Sequence, residues 1–79
     1  MFNKDYCLYL FAPKGAKISA KPIVVNGISL DVIYPEIIKQ FEMHPLGKID
    51  AVLAYDDLGN YCGRYTAKDY LEKKIPFQT

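Results

Sequence analysis

Thr66 and Asp69 are the residues of this 79-residue chain best placed to do chemistry. They follow Gly63 in the order Gly63-Arg64-Tyr65-Thr66-Ala67-Lys68-Asp69. A threonine that opens a helix just after a strand presents its hydroxyl and the free backbone N–H groups to a phosphate. An aspartate one turn later can accept hydrogen bonds from sugar hydroxyls. Arg64 and Lys68 flank this corner and suit phosphate charge. The same spacing has a purely structural reading: Thr-x-x-Asp is close to a capping box, in which hydroxyl and acid satisfy the first helical N–H groups. The two roles are compatible, because a cap and a phosphate address the same amides.

Other constellations are thinner. Asp56 and Asp57 are adjacent acids in a turn segment, where aspartates serve the loop's own backbone. His44 is the single histidine and falls near a helix C-terminus, where the last carbonyls suit it. Cys7 and Cys62 lie far apart in apolar surroundings and read as two buried free thiols. One histidine and two such thiols give no nucleophile–base pair and no transition-metal ligand set.

These residues need elements to hold them. Tyr6–Phe11 is an apolar, aromatic-rich run ending at Pro13 and reads as a buried strand. An edge position would make that strand a dimer contact. A basic loop around Gly15 follows, then a short strand from Pro22 to Val25, stopped by Asn26-Gly27. Ile37, Ile38 and Phe41 recur at helical spacing behind Tyr34, predicting a helix from about Tyr34 to Met43 with Pro35 in its first turn. Val32 and Ile33 read as the lead into it. Ile49–Tyr55 is a strand, 56–60 a turn, and Tyr61–Tyr65 the returning strand, with Tyr61, Gly63 and Tyr65 on one face and Cys62 and Arg64 on the other. Thr66 caps a last helix from Ala67 to about Lys74, before Pro76. The expected fold is α+β: a small mixed sheet with two helices, in the order β-β-α-β-β-α.

From Pro22 to Lys74, about two-thirds of the chain, this order resembles a single cystathionine-β-synthase-type (CBS) motif. The resemblance rests on Pro22-Ile23-Val24-Val25, on Ser29-Leu30 before the helix, on Ala51–Tyr55 with the acidic glycine turn, and on Gly-x-x-Thr-x-x-Asp at Gly63, Thr66 and Asp69. It implies an adenine-nucleotide-sensing module in which Thr66 touches phosphate, Asp69 the ribose, and Ile23 flanks the adenine. CBS motifs work in pairs, so a single copy implies a homodimer. Pro35, Arg64 and the strand over residues 6–11 depart from the pattern.

Size and charge bound the remaining choices. The chain makes one domain, 1–79, with residues 1–21 as strand and basic loop and 22–74 as the CBS-like unit. A chain this short buries only about 60–65% of its unfolded surface, which makes association attractive. Half of the residues are hydrophobic, which argues for a core and against disorder. A net charge of +1 is too small to drive binding to nucleic acid or an anionic membrane. Before Leu30, Lys4, Lys14, Lys17 and Lys21 face only Asp5, which reads as a solvated basic loop. No apolar run reaches the ~20 residues of a membrane span, and the default expectation is a cytoplasmic chain. The expected function is therefore a non-enzymatic regulatory or binding module, with no cofactor but an adenine nucleotide as its ligand. The alternative is a small interaction protein that binds a partner protein, of the kind carried by viruses and mobile elements. There, a few exposed members of the seven tyrosines and four phenylalanines would make the contact patch.

Overall fold

The computed structural model describes residues 3–18, 20–45 and 47–72. The order is β1 (Lys4–Phe11), β2 (Ile23–Gly27), α1 (Leu30–Met43), β3 (Ala51–Tyr55), β4 (Tyr61–Thr66) and α2 (Ala67–Leu71). The predicted α+β order holds, with one correction to the sheet. Every adjacent pair in the four-stranded sheet β2-β1-β3-β4 is antiparallel, so the sheet is not mixed. The reason is topological. β2 and β3 run in the same direction, but β1 lies between them, so the connection through α1 is a split β-α-β.

β1 therefore occupies the middle of the sheet rather than an edge. Its alternation divides the molecule. Tyr6, Leu8 and Leu10 are buried toward the helices, together with Val52 and Ala54 of β3. Ile33, Ile37, Ile38 and Phe41 of α1 complete this core, and Tyr70 of α2 stacks on Phe41 at 5.4 Å between ring centres. Leu8, Ile33, Ile37 and Val52 are fully buried; each contributes about 1.5–3 kcal/mol by leaving water.

α1 begins at Leu30, a turn earlier than its sequence predicts, and takes in Val32 and Ile33. Pro35 is tolerated inside it, at the cost of the N–H that would have met the Asp31 carbonyl. Asn26-Gly27 is strand rather than turn: Gly27 pairs with Lys4, and the Asn26 amide donates to the Asp5 carboxylate at 2.9 Å. Gly27 is small for a packing reason, since a Cβ there would stand 2.9 Å from Cγ2 of Ile33. α2 ends at Leu71; its expected extension to Lys74 lies outside the described residues. No helix among the described residues is long and apolar enough to cross a membrane.

Candidate functional site

The Thr66–Asp69 corner folds as its capping reading expects. The Asp69 N–H donates to Thr66 Oγ1 at 3.0 Å, and the Thr66 N–H donates to Asp69 Oδ2 at 3.1 Å. Both halves of the capping box are present, over a helix of only five residues. Lys68 is exposed on that helix, and Arg64 is exposed on β4. Ile23 is elsewhere. The register runs Ile23, Leu8, Ala54, Gly63 straight across the sheet, so Ile23 sits on one edge strand and Thr66 on the other. Three strand intervals of about 4.8 Å and three residues of about 3.3 Å separate them by roughly 17 Å. The structure thus brings Thr66 and Asp69 together and keeps Ile23 apart from them within one chain.

Gly63 has a local explanation as well. A Cβ at Gly63 would meet the Tyr65 hydroxyl at 2.8 Å, so the glycine makes room for a ring folded back along its own strand. Burial, then hydrogen bonding with the Tyr34 hydroxyl, pushes the Tyr65 phenol well above its usual range. The rings of Tyr34 and Tyr65 meet edge to face at 5.8 Å, which ties α1 to β4.

The acidic turn is self-contained. Asp56 Oδ1 accepts from the Leu58 N–H at 2.9 Å and the Asn60 N–H at 2.8 Å, and Oδ2 accepts from the Asn60 side-chain amide at 3.0 Å. The Asn60 backbone donor, then the Asn60 side chain, hold the Asp56 carboxyl below its ordinary range. Both cysteines are free and half-buried rather than fully buried. Burial, then the Asp56 charge, push the Cys62 thiol up, which makes it a poorer nucleophile. The His44 ring Nδ1 donates to the Gln40 carbonyl at 2.8 Å and so closes the end of α1. No cluster of three metal-ligating side chains occurs among the described residues.

A more extensive feature lies on the side of the sheet away from the helices. Cys7, Tyr9 and Phe11 of β1, Ala51, Leu53 and Tyr55 of β3, and Val24 of β2 alternate onto this open face. Arg64 joins them opposite Leu53. A register shift at Ala54/Tyr55 pairs Tyr55 with Tyr61, so Tyr61 leaves the face of Gly63 and Tyr65 and stands beside Tyr55. That is the opposite of its expected placement, and the bulge is the cause: one extra residue inverts the alternation beyond it. Tyr9, Tyr55 and Tyr61 form a ladder of edge-to-face contacts at 5.7 and 5.8 Å. Lys17 closes one end, with its Nζ 4.9 Å above the centre of the Tyr9 ring. Between Lys17 and the Asp56–Asp57 turn lies a concavity of about 440 Å³, floored by Cys7, Tyr9 and Tyr55.

A second concavity, about 480 Å³, lies between the end of α1 and α2; Phe41, His44, Ile49 and Tyr70 line it, and Thr66, Lys68 and Asp69 do not. No known protein family, curated protein or solved structure shows a significant match to this chain.

The open face had one signal in the sequence. Tyr6-Cys7-Leu8-Tyr9-Leu10-Phe11 is apolar at both alternations, which is the pattern of a strand covered on two sides. Both helices of the structure pack on one side only. The second apolar face is the part left over.

Proposed function

We propose that this chain is a small non-enzymatic interaction module that binds a partner protein through the open face of its sheet. One observation carries the reading: the face holds a contiguous aromatic and aliphatic patch that no described helix covers, with only the loop through Lys17 reaching over its Tyr9 end. Four strands at about 4.8 Å and five paired residues at about 3.3 Å give a flat area of roughly 320 Å². The largest apolar patch of a monomeric protein is about 300–600 Å² and is often functional, so it is the make-up of this face rather than its size that marks it. Tyrosine and arginine at such a patch are the side chains that carry most binding energy at interfaces. Tyr61 and Val24 are each 59% exposed, so substantial surface remains for a partner to cover.

The corner at Thr66 and Asp69 supports this reading in a second way. Its hydrogen-bonding groups already satisfy each other, which accounts for both residues without a ligand. Arg64 belongs to the open face, where it serves protein contact rather than phosphate.

The test is capture from extracts of the cells that make the chain, with immobilised wild type, Tyr55→Ser and the helix-side control Lys39→Glu. The expected result is a protein retained by wild type and control and lost with Tyr55→Ser, all three chains melting cooperatively. Equal retention by all three overturns the reading. So does a stabilisation of about 2.7 kcal/mol by AMP, ADP or ATP at a hundred times its dissociation constant, which would restore the nucleotide-sensing alternative.

A further inference from the structure

The concavity on the open face already holds one cation. Lys17 comes from the loop after β1, pairs beside Phe11, and sets its ammonium 4.9 Å above the centre of the Tyr9 ring. The residue is exposed, and among the described residues no carboxylate pairs with it. Tyr9 meets Tyr55 at an interplanar angle of 86°, so the two rings form a corner. The faces of aromatic rings are electron-rich, and a cation lodged in such a corner can touch both.

The charges around this corner favour a cation as well. Three charged side chains line the concavity: Lys17, Asp56 and Asp57. Asp56 is committed to its own turn through the three hydrogen bonds to Leu58 and Asn60, and Lys4 acts on its charge too. Asp57 is exposed, and among the described residues it makes no hydrogen bond and no ion pair. The concavity thus offers one free carboxylate and two ring faces, answered from within the chain by Lys17 alone. An acidic group would meet Lys17, but also Asp57 and two negative ring faces. A guanidinium suits the corner better than an ammonium does, because it is planar, stacks on aromatic rings and is more weakly hydrated. The volume of about 440 Å³ leaves room for a long side chain.

We infer that the partner protein anchors in this concavity with an arginine side chain, which takes the place of the Lys17 ammonium against Tyr9 and Tyr55 while Asp57 supplies the counter-charge. The inference rests on the open face being the contact surface, and it names the side chain that surface receives. Lys17 then serves as an internal stand-in. An arriving arginine releases it to solvent at the cost of one exposed cation–π contact, and makes that contact again itself. Arginine and tyrosine are the residues that carry most energy at interfaces, and such residues tend to face each other across them.

Titration of the labelled full chain with three small probes tests this, followed by backbone amide shifts. N-acetyl-arginine amide carries the guanidinium, N-acetyl-citrulline amide has the same shape without the charge, and N-acetyl-glutamate amide carries the opposite charge. The arginine probe should move the resonances of Tyr9, Tyr55 and Asp57, and the other two should not. Lys17→Gln removes the internal competitor and should tighten arginine binding roughly two- to five-fold. Asp57→Asn should weaken it roughly two- to five-fold. Equal shifts from the citrulline probe overturn the inference, as do binding of the glutamate probe in place of arginine and a Lys17→Gln chain that binds arginine no better than wild type. Failure here is distinguishable from failure of the proposed function. A chain that loses its captured protein with Tyr55→Ser but ignores the arginine probe refutes only the arginine anchor. Unchanged capture by Tyr55→Ser refutes the contact surface, and the anchor with it.

Discussion

Gly27→Ala tests the packing that holds the helix layer against the sheet. Gly27 is buried in β2, and a Cβ at this position would lie 2.9 Å from Cγ2 of Ile33. Carbon atoms in contact prefer about 3.5–4.0 Å, so one side must move by more than half an ångström. Ile33 is fully buried in the core and has no room to retreat. Overpacking of this kind costs about 1–3 kcal/mol. Gly27 does not occupy the left-handed region, so alanine also restricts the unfolded chain and recovers about 0.4–1 kcal/mol. The net expectation is a loss of about 1–2 kcal/mol. At about 4–8 °C per kcal/mol for a domain of this size, the melting temperature falls by roughly 5–15 °C. The assay is thermal and urea denaturation of four chains: wild type, Gly27→Ala, Ile33→Leu and the double variant. Leucine has no methyl on its Cβ, so the clashing atom disappears in the Ile33→Leu background. There the cost of Gly27→Ala should shrink by at least about 0.5 kcal/mol. A Gly27→Ala chain as stable as wild type, or one whose penalty is unchanged beside Ile33→Leu, would refute the reasoning.

Thr66→Ala should lower stability by about 1 kcal/mol through loss of the cap, and calorimetry should show this deficit unaltered by added nucleotide. The Asp56 carboxyl is depressed in the folded state, chiefly by the Asn60 amide. Its stabilisation is therefore present above its unfolded value of about 3.9 and lost as pH falls through the lower folded value. The stability gap between wild type and Asp56→Ala should accordingly be wide at neutral pH and narrow in acid, as urea midpoints would report. Tyr65 is shifted the other way, by burial first and hydrogen bonding with Tyr34 second. Its contribution is complete below the ordinary tyrosine value of about 10 and declines as pH rises beyond it. Alkaline unfolding should be steeper in wild type than in Tyr65→Phe, with equal slopes as the contrary result.

Much of the fold is legible in residue order. Ile37, Ile38 and Phe41 give the buried stripe of α1, and 56–60 and Thr66 mark the turn and cap where they occur. What escapes is long-range. Nothing local to residues 4–11 states that two strands will pair on either side of them, and that placement makes β1 central and the sheet antiparallel. The start of α1 is obscured because Pro35 resembles a first-turn proline, and Leu30 has no side-chain cap at Ser29 to announce it. Asn26-Gly27 carries a turn signature, but the approach of Ile33 gives Gly27 its reason. The candidate face is the least legible part. It needs the strand order to bring Tyr9 beside Tyr55, and a bulge invisible in the sequence to bring Tyr61 beside both.

Backbone amide spectra of the labelled chain, recorded as the protein retained by the wild-type chain is added, test the central claim most directly. If the open face is the contact surface, the resonances that move are those of Tyr9, Leu53, Tyr55 and Arg64 and their neighbours in the sheet, and those of exposed α1 positions such as Lys39 stay fixed. Changes centred on α1 and α2, or a spectrum that the captured protein leaves untouched, would contradict the account.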